Sequence, residues 1–126
     1  MHELSVAQGL VELVIEEIAR EGPVRVVSVH VRIGALSGVE PAALRFAYDA
    51  ATAATALAGS ALQVEEVRVA VWCERCGAEH DLEQANRLCC PACGATAPRV
   101  VRGKDLEVVS VEVADVTIRT AIATAP

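Results

Sequence analysis

The stretches Cys73-Glu74-Arg75-Cys76 and Cys90-Pro91-Ala92-Cys93 are the most informative part of this chain of 126 residues. Each stretch places two thiolates on one turn, and two such turns, joined by residues 77–89, can close a tetrahedron of sulfur ligands. Tetrahedral sulfur ligation favours Zn²⁺ over the harder divalent ions. The spacing is typical of a zinc ribbon, and it predicts one zinc site formed by Cys73, Cys76, Cys90 and Cys93.

Two other interpretations of these cysteines are a pair of disulfides and a redox-active pair with two bystanders. Disulfides would need an exported protein, but the residues from Met1 to Ser5 show neither a basic segment nor an apolar export core. A redox pair would normally lie where a strand meets a helix in a thioredoxin-like unit, and no such unit surrounds Cys73. Because four thiolates leave no open position on zinc, we expect the site to be structural, and function must be sought elsewhere.

Composition limits the class of protein and the class of partner. Hydrophobic residues make up 53% of the chain, but only Phe46, Tyr48 and Trp72 are aromatic, so we expect an aliphatic core. The formal net charge of −6 disfavours nucleic acid as a partner, because an acidic surface repels phosphate backbones. No stretch has the ~20 consecutive apolar residues that a membrane-spanning helix needs. We therefore expect a cytoplasmic protein without a membrane partner.

Hydrophobic periodicity and turn residues predict two helices. The first is expected to open at a capping box that starts at Ser5 and to stop at Gly22. The second is expected to start with Pro41 at its first position and to run to about Leu57, with Phe46 in the core.

Three strands are predicted over residues 24–33, 61–72 and 105–114. The apolar alternation slips near Glu65-Glu66 and between Val108 and Val109, which indicates a bulge or a sharp twist. The two later strands flank the cysteine pairs and are expected to pair with each other. The tail from residue 116 loses its pattern and is expected to fray.

These elements predict an α+β fold in which two helices pack on a three-stranded sheet, with an inserted zinc-ribbon module. Residues 1–70 plus 105–126 would form the α+β domain. Residues 71–104 would form the zinc-ribbon domain.

The amino-terminal residues Met1-His2-Glu3 are the second candidate site. His2 and Glu3 come directly before a predicted helix, so we expect them to be held near the fold. An imidazole and backbone nitrogens suit Ni²⁺ or Cu²⁺ in tetragonal geometry, and the His2 imidazole can close a chelate ring with the backbone nitrogen of its own residue. Glu3 can add its backbone nitrogen or a carboxylate oxygen. Such an exposed, proton-sensitive site suits a protein that hands metal on.

Three further side chains are weaker candidates. Cys89 adjoins Cys90 and could replace it as a ligand, although the Cys90-x-x-Cys93 spacing favours Cys90. His80 lies between the pairs, but four thiolates already suffice. His30 lies on the polar face of the first strand, where a solvated histidine is more common than a ligand.

Several stretches together resemble the HypA/HybF family of hydrogenase-maturation nickel metallochaperones. They occur in order along nearly the whole chain: Met1-His2-Glu3-Leu4-Ser5, Ile33-Gly34 followed by Ser37, the two cysteine pairs, and Gly103-Lys104-Asp105-Leu106-Glu107-Val108. The combination of an opening Met-His-Glu with a downstream four-cysteine ribbon is more specific than either part alone.

The resemblance implies a binding protein, not an enzyme, that carries Ni²⁺ transiently to the large subunit of [NiFe]-hydrogenase. It implies that His2 is the essential nickel ligand, that Glu3 assists it and that Glu40 lies near the site. It also implies structural zinc on the four ribbon cysteines. The implied partners are a nickel-handling GTPase, the hydrogenase large subunit and, for some members, urease maturation proteins. Cys89 and the tail from residue 116, in which Arg119 is the one charged side chain, depart from the family pattern.

Two alternative functions remain open at this point. A zinc-ribbon interaction adaptor for transcription or translation would normally carry a basic face, but acidic residues offset the basic ones within residues 73–104. A thiol redox enzyme would need a reactive cysteine in the zinc-loaded protein, whereas zinc-bound thiolates are protected.

Overall fold

The computed structural model describes residues 2–22, 24–84, 86–96, 98–114, 117–119 and 123–124. Within them lie helix α1 (His2–Ile18), extended by a 3-10 turn over Ala19–Glu21, and helix α2 (Pro41–Thr52). The strands are β1 (Val26–Gly34), β2 (Ala61–Val67), β3 (Ala70–Cys73), β4 (Ala78–Asp81), β5 (Arg99–Arg102), β6 (Leu106–Val113), β7 (Thr117–Arg119) and β8 (Ala123–Thr124).

The larger sheet is built around β1. Strand β1 pairs in parallel with β2 and antiparallel with β6, and β7 and β8 pair with different parts of β6. The prediction that the strands flanking the cysteine pairs hydrogen-bond to each other is therefore wrong, since β1 lies between them. The central place of β1 fits its composition, because Val29 and Val31 are completely buried.

The predicted strand over residues 61–72 is two strands in two sheets. Strand β2 belongs to the larger sheet, while β3 is the central strand of a second, small sheet in the order β4-β3-β5. The slip near Glu65-Glu66 is not a bulge: Val64 packs against the large core, and Val69 and Val71 belong to a separate cluster. The second predicted slip is confirmed, since the register of β6 against β1 shifts at Val109.

Backbone contacts join the two sheets. The N–H of Ala35 donates to the Val67 carbonyl at 3.0 Å and extends the pairing of β1 with β2, whereas the N–H of Leu36, just beyond β1, donates at 2.8 Å to the carbonyl of Gly103, the residue that follows β5 of the small sheet. A Cβ atom on Gly103 would lie 2.6 Å from the carbonyl oxygen of Arg68. The segments therefore cross so closely that only a glycine fits between them.

Helix α1 begins earlier than predicted. It starts at His2, so Ser5 lies inside the helix and is not its cap. The buried face of α1 explains the longer helix, because Leu4 packs against the same core as Val6 and Leu10. His2 and Glu3 therefore occupy the first helical turn.

Helix α2 begins as predicted, with Pro41 in its first turn, and ends at Thr52 rather than near Leu57. The prediction that Phe46 belongs to the core is wrong, because Phe46 is 82% exposed. The helical phase puts Tyr48 inside instead, where its hydroxyl lies 2.7 Å from the Ser60 hydroxyl. Burial raises the pKa of Tyr48 above its ordinary value.

The predicted class is confirmed: the fold is α+β, with two helices, two sheets among the described residues, and a four-cysteine cluster. The larger sheet has more strands than predicted, because β7 and β8 lie in the tail that we expected to fray. The other residues of that tail, from 115 onward, lie outside the described residues. Within the described part of the chain, no helix has the length and apolar composition to cross a bilayer.

Candidate metal centres

The four cysteines of the two pairs converge on one point at the end of the small sheet. The sulfur atoms of Cys73, Cys76, Cys90 and Cys93 all lie within 4.8 Å of one another. Cys73 and Cys90 are buried, whereas Cys76 and Cys93 are exposed. Two cysteines of the cluster therefore pack inside the protein, and the other two face solvent.

The two pairs have the same local turn. After the first pair, the N–H of Gly77 donates to the Cys73 carbonyl at 2.8 Å, and after the second, the N–H of Gly94 donates to the Cys90 carbonyl at 2.9 Å. Both glycines have positive φ, 65° and 76°, which a residue with a side chain rarely adopts. A glycine directly after each Cys-x-x-Cys pair is therefore a sequence signal for this turn, in addition to the cysteine spacing.

The sulfur–sulfur distances distinguish zinc from disulfides. Cys73 Sγ lies 3.6 Å from Cys93 Sγ, and Cys76 Sγ lies 3.8 Å from Cys90 Sγ. A disulfide would need about 2.05 Å. Four sulfurs at about 2.3 Å from zinc form a tetrahedron with edges of about 3.8 Å. The donor set and its spacing therefore fit a zinc ion.

Two thiols of the cluster have pKa values that are shifted in opposite directions. The backbone N–H groups of Cys93 and Ala92 stabilise the Cys90 thiolate and lower the pKa of Cys90 to about 6. Neighbouring thiols, Cys93 foremost, raise the pKa of Cys76 to about 12. A metal ion that binds all four thiolates must therefore displace protons, so acid weakens its binding.

Cys89 and His80 lie outside this cluster. Cys89 forms an isolated β-bridge with Thr96, and its sulfur is not among the four that converge. His80 lies on β4, and its Nε2 atom is buried without a hydrogen-bond partner among the described residues. His30 is half-buried on β1, between Gln63 and Ser110 of the neighbouring strands.

The second candidate centre, which we call the amino-terminal site, comprises His2, Glu3 and Glu40. The His2 side chain is 49% exposed, and its Nδ1 atom lies 3.6 Å from Glu3 Oε2. Because both residues lie in the first turn of α1, their backbone N–H groups have no carbonyl partner within the helix. The imidazole and the backbone nitrogens thus lie together at an exposed position.

Glu3 and Glu40 connect the starts of the two helices. The same Glu3 oxygen accepts the N–H of Glu40 at 3.4 Å, and the Glu40 carboxylate caps α2 by accepting the N–H of Ala43 at 2.8 Å. Bonds from the N–H groups of Glu3 and Glu40 lower the pKa of Glu3, so its carboxylate stays ionised in moderately acidic solution. Sequence reasoning placed Glu40 near the site, but it missed this contact across the two helices.

The amino-terminal site is less compact than the cysteine cluster. The His2 imidazole and the two carboxylates do not all come within 4.8 Å of one another; among the described residues, only the four cysteines meet that condition. Glu40 is turned toward its own helix. Nitrogen and oxygen donors therefore lie near one another at the starts of the two helices, but they do not converge on a single point as the four cysteines do.

The comparisons with known proteins agree with this architecture. Residues 1–113 match a family model described as "Hydrogenase/urease nickel incorporation, metallochaperone, hypA". A protein named "Hydrogenase maturation factor HypA" from Roseiflexus sp. (strain RS-1) is 44% identical over 117 residues, covering 93% of this chain and 95% of that protein. One of the same name from Nitrosospira multiformis is 44% identical over 112 residues, covering 89% and 96%.

Two solved structures have a similar fold. "Solution structure of the Ni metallochaperone HypA from Helicobacter pylori" matches with a TM-score of 0.65 at 20% identity, covering 88% of this chain and 96% of that chain. "Solution structure of HypA protein" matches with a TM-score of 0.66 at 21% identity, covering 90% and 96%. The family match over nearly the whole chain, together with relatives above 40% identity, shows that this chain belongs to the HypA family of hydrogenase-maturation metallochaperones, which are not enzymes.

Proposed function

We propose that this chain carries Ni²⁺ at its amino-terminal site and delivers it to the large subunit of [NiFe]-hydrogenase. The observation that carries the proposal is the position of His2: an exposed imidazole on the first turn of α1, beside backbone N–H groups that have no carbonyl partner within the helix and beside the Glu3 carboxylate. Membership of a family described by nickel incorporation supports Ni²⁺ as the proposed cargo of such donors.

The proposed ligands come from a very short stretch of chain. The His2 imidazole and the backbone nitrogens of His2 and Glu3 would bind nickel in adjoining chelate rings, as Ni²⁺ prefers in tetragonal sites. Glu40 would supply an oxygen or a compensating negative charge from the start of α2, and only one of its carboxylate oxygens is used by the Ala43 cap. The site can release its cargo because it lies at the surface.

The four-cysteine cluster has a different proposed role. Zn²⁺ held by Cys73, Cys76, Cys90 and Cys93 would be structural, since it has no open position for a transferred ligand. We propose that the cluster and its small sheet form a zinc-ribbon domain over residues 71–104. Residues 1–70 plus 105–126 would form the nickel-binding domain.

The family also indicates the proposed partners. The relatives' name refers to hydrogenase maturation, which supports partners within that machinery. We propose a nickel-handling GTPase as the exchange partner before the hydrogenase large subunit. The family description also mentions urease, so urease maturation proteins are a second proposed destination. The exchange would take place in the cytoplasm.

The decisive experiment compares His2→Ala with His30→Ala in untagged, zinc-loaded protein. Equilibrium dialysis against micromolar Ni²⁺ should show loss of the tight nickel site in the first variant only, because His30 lies within β1 and is not one of the proposed donors. Zinc content and the circular dichroism spectrum should stay unchanged in both. Equal nickel binding by His2→Ala and the unaltered chain would contradict the proposal.

A second experiment tests ligation by backbone nitrogens. A tag fused ahead of Met1 should alter the nickel X-ray absorption spectrum, whereas a tag after Pro126 should not. Identical spectra for the two fusions would exclude backbone ligation near the start of the chain.

A further inference from the structure

The backbone that leads into α2 is held by contacts on both sides of the helix start. Val39, directly before the cap, and Leu44, in the second turn of the helix, are both buried in the larger core. They occupy the two positions of a hydrophobic staple, which fixes the angle at which a chain enters a helix. The Ser37 hydroxyl also accepts the N–H of Val39 at 3.2 Å. The residue between them and the helix therefore has little freedom to move.

That residue, Glu40, caps the helix with its side chain. Its carboxylate accepts the N–H of Ala43 at 2.8 Å, and its backbone is extended, with φ −89° and ψ 120°. Ser, Thr, Asp and Asn are the residues preferred at this position, so a glutamate that reaches back to the helix is an unusual cap. The carboxylate of Glu40 is thus committed to α2 through one of its oxygens.

The backbone N–H of Glu40 makes the contact with the amino-terminal site. It donates to Glu3 Oε2 at 3.4 Å, and the same oxygen lies 3.6 Å from His2 Nδ1. A carboxylate at the N-terminus of a helix is also stabilised by the helix dipole. Because the Glu3 carboxylate is anchored on a backbone group of α2, its position beside the imidazole depends on where the helix begins.

We propose that Glu40 is a positioning residue: its cap of α2 holds its own N–H against the Glu3 carboxylate, which in turn holds the His2 imidazole. The inference rests on the proposed function, since it concerns the imidazole that would bind nickel. A carboxylate beside a metal-binding imidazole restricts the orientation of the ring and raises its basicity. The cap is then a larger contribution of Glu40 to nickel binding than any oxygen or charge of its carboxylate.

The strength of the cap limits the size of this effect. Removal of a capping side chain weakens a helix start by about fivefold in its equilibrium constant. Nickel binding can lose no more than this factor when the first turn of α2 must form for Glu3 to be held. We therefore expect a moderate loss of nickel affinity, far smaller than the loss expected when His2 itself is removed.

Glu40→Ser and Glu40→Ala are the matched pair that tests the positioning role. Both variants remove the carboxylate, but serine supplies a capping oxygen and alanine does not. Calorimetric titration of untagged, zinc-loaded protein with Ni²⁺ should give Glu40→Ser an affinity within about twofold of the unaltered chain, and Glu40→Ala an affinity about fivefold lower. Equal losses in the two variants would overturn the proposal, because a metal ligand or a compensating charge is lost from both alike.

Ala50→Gly controls for the stability of α2. Ala50 is exposed near the other end of the helix, where a glycine costs about as much helix stability as the loss of a cap. This variant leaves the cap and the N–H of Glu40 in place, so its nickel affinity should equal that of the unaltered chain. A loss as large as that of Glu40→Ala would overturn the positioning role, since helix stability alone would explain both.

A second readout needs no nickel. The amide proton resonance of Glu40 reports its hydrogen bond to Glu3, so Glu3→Ala should shift it upfield in the zinc-loaded protein. Glu12→Ala, at an exposed position of the same helix, is the control and should leave the resonance in place. An unchanged resonance in Glu3→Ala would overturn the proposal, because the connection between the two helix starts would be absent.

The outcomes separate this inference from the proposed function. Equal nickel binding by His2→Ala and the unaltered chain would overturn both. Loss of binding in His2→Ala, together with equal losses in Glu40→Ser and Glu40→Ala, would overturn the positioning role alone and assign Glu40 to the site as a ligand or a charge.

Discussion

The two sheets of this molecule are stabilised by different means. The larger sheet and the helices share a core with 19 buried residues among the described part of the chain, whereas the small sheet has a cluster of three, Val69, Val71 and Leu82. Such a small cluster cannot offset the conformational entropy of ordering its strands and loops. The converging thiolates of four cysteines supply the missing cross-link once a metal binds.

The two candidate metal centres differ in the same way. The four-cysteine cluster draws its ligands from two turns that only the folded ribbon brings together, so binding and folding are linked. The proposed donors of the amino-terminal site are mostly consecutive residues at the start of α1, so a metal bound there would not be needed to hold any strand in place. The proposed structural zinc and the proposed nickel cargo would therefore be connected to the fold in different ways.

Removing zinc is the strongest test of this contrast. Cys90→Ser, or chelation of the native protein, should unfold β3, β4 and β5, because structural zinc contributes on the order of 10 kcal/mol. The larger sheet should persist. Zinc analysis together with amide NMR spectra checks both statements, and Cys89→Ser is the control that should keep its zinc. Unchanged spectra of the small sheet after chelation would contradict this account.

A substitution in the core should destabilise the larger sheet, whereas removal of zinc should unfold the small one. Tyr48→Ala should lower the free energy of unfolding of the larger sheet by about 3–5 kcal/mol, because it empties a completely buried site and leaves Ser60 without its hydroxyl partner. Phe46→Ala, two positions away and exposed, should change it by less than about 0.5 kcal/mol. Urea unfolding at low protein concentration measures both. Similar losses would mean that Phe46 is part of a core.

A substitution at the junction between the two sheets should lower the free energy of unfolding by an intermediate amount. Gly103→Ala should cost about 2–5 kcal/mol, because its φ is +93° and a Cβ would lie 2.6 Å from the Arg68 carbonyl oxygen. Gly22→Ala shares a positive φ, at a ψ of −166° that glycine almost alone adopts, but meets nothing within 4 Å, so it should cost about 1–3 kcal/mol. Urea unfolding of the zinc-loaded variants compares the two. Equal costs would show that the close crossing adds nothing.

The smallest expected effect on stability is the pH dependence that comes from the Glu3 carboxylate. The folded protein lowers the pKa of Glu3 below its ordinary 4.5, so the ionised carboxylate stabilises the fold above that pH. This contribution disappears as pH falls through the lowered value, because both states then bind the proton. Glu3→Gln should therefore be slightly less stable than the unaltered chain at neutral pH and equally stable in strong acid. Urea midpoints across this range measure the difference, and a gap that widened with acid would reverse the assigned sign.

Local patterns were predictable where neighbouring residues are sufficient. The start of α2 followed from Pro41, and the irregular pairing of β6 followed from the adjacent Val108 and Val109. Prediction failed where distant segments compete. The run from residue 61 to 72 looks like one strand, but its halves join different sheets. Phe46 and Tyr48 are both aromatic and two positions apart, and only the packing of α2 decided which one is buried.

The sequence alone predicted that Cys73, Cys76, Cys90 and Cys93 converge, because covalent spacing limits where Cys-x-x-Cys thiolates can point, and it supplied His2 and Glu3 as the proposed donors at the start of α1. The tertiary structure alone decided that β1 separates β2 from β6, that Phe46 faces outward, and that Glu3 meets the start of α2 at Glu40. Those outcomes depend on contacts between residues far apart in the chain, whose energies exist only when the whole core packs at once.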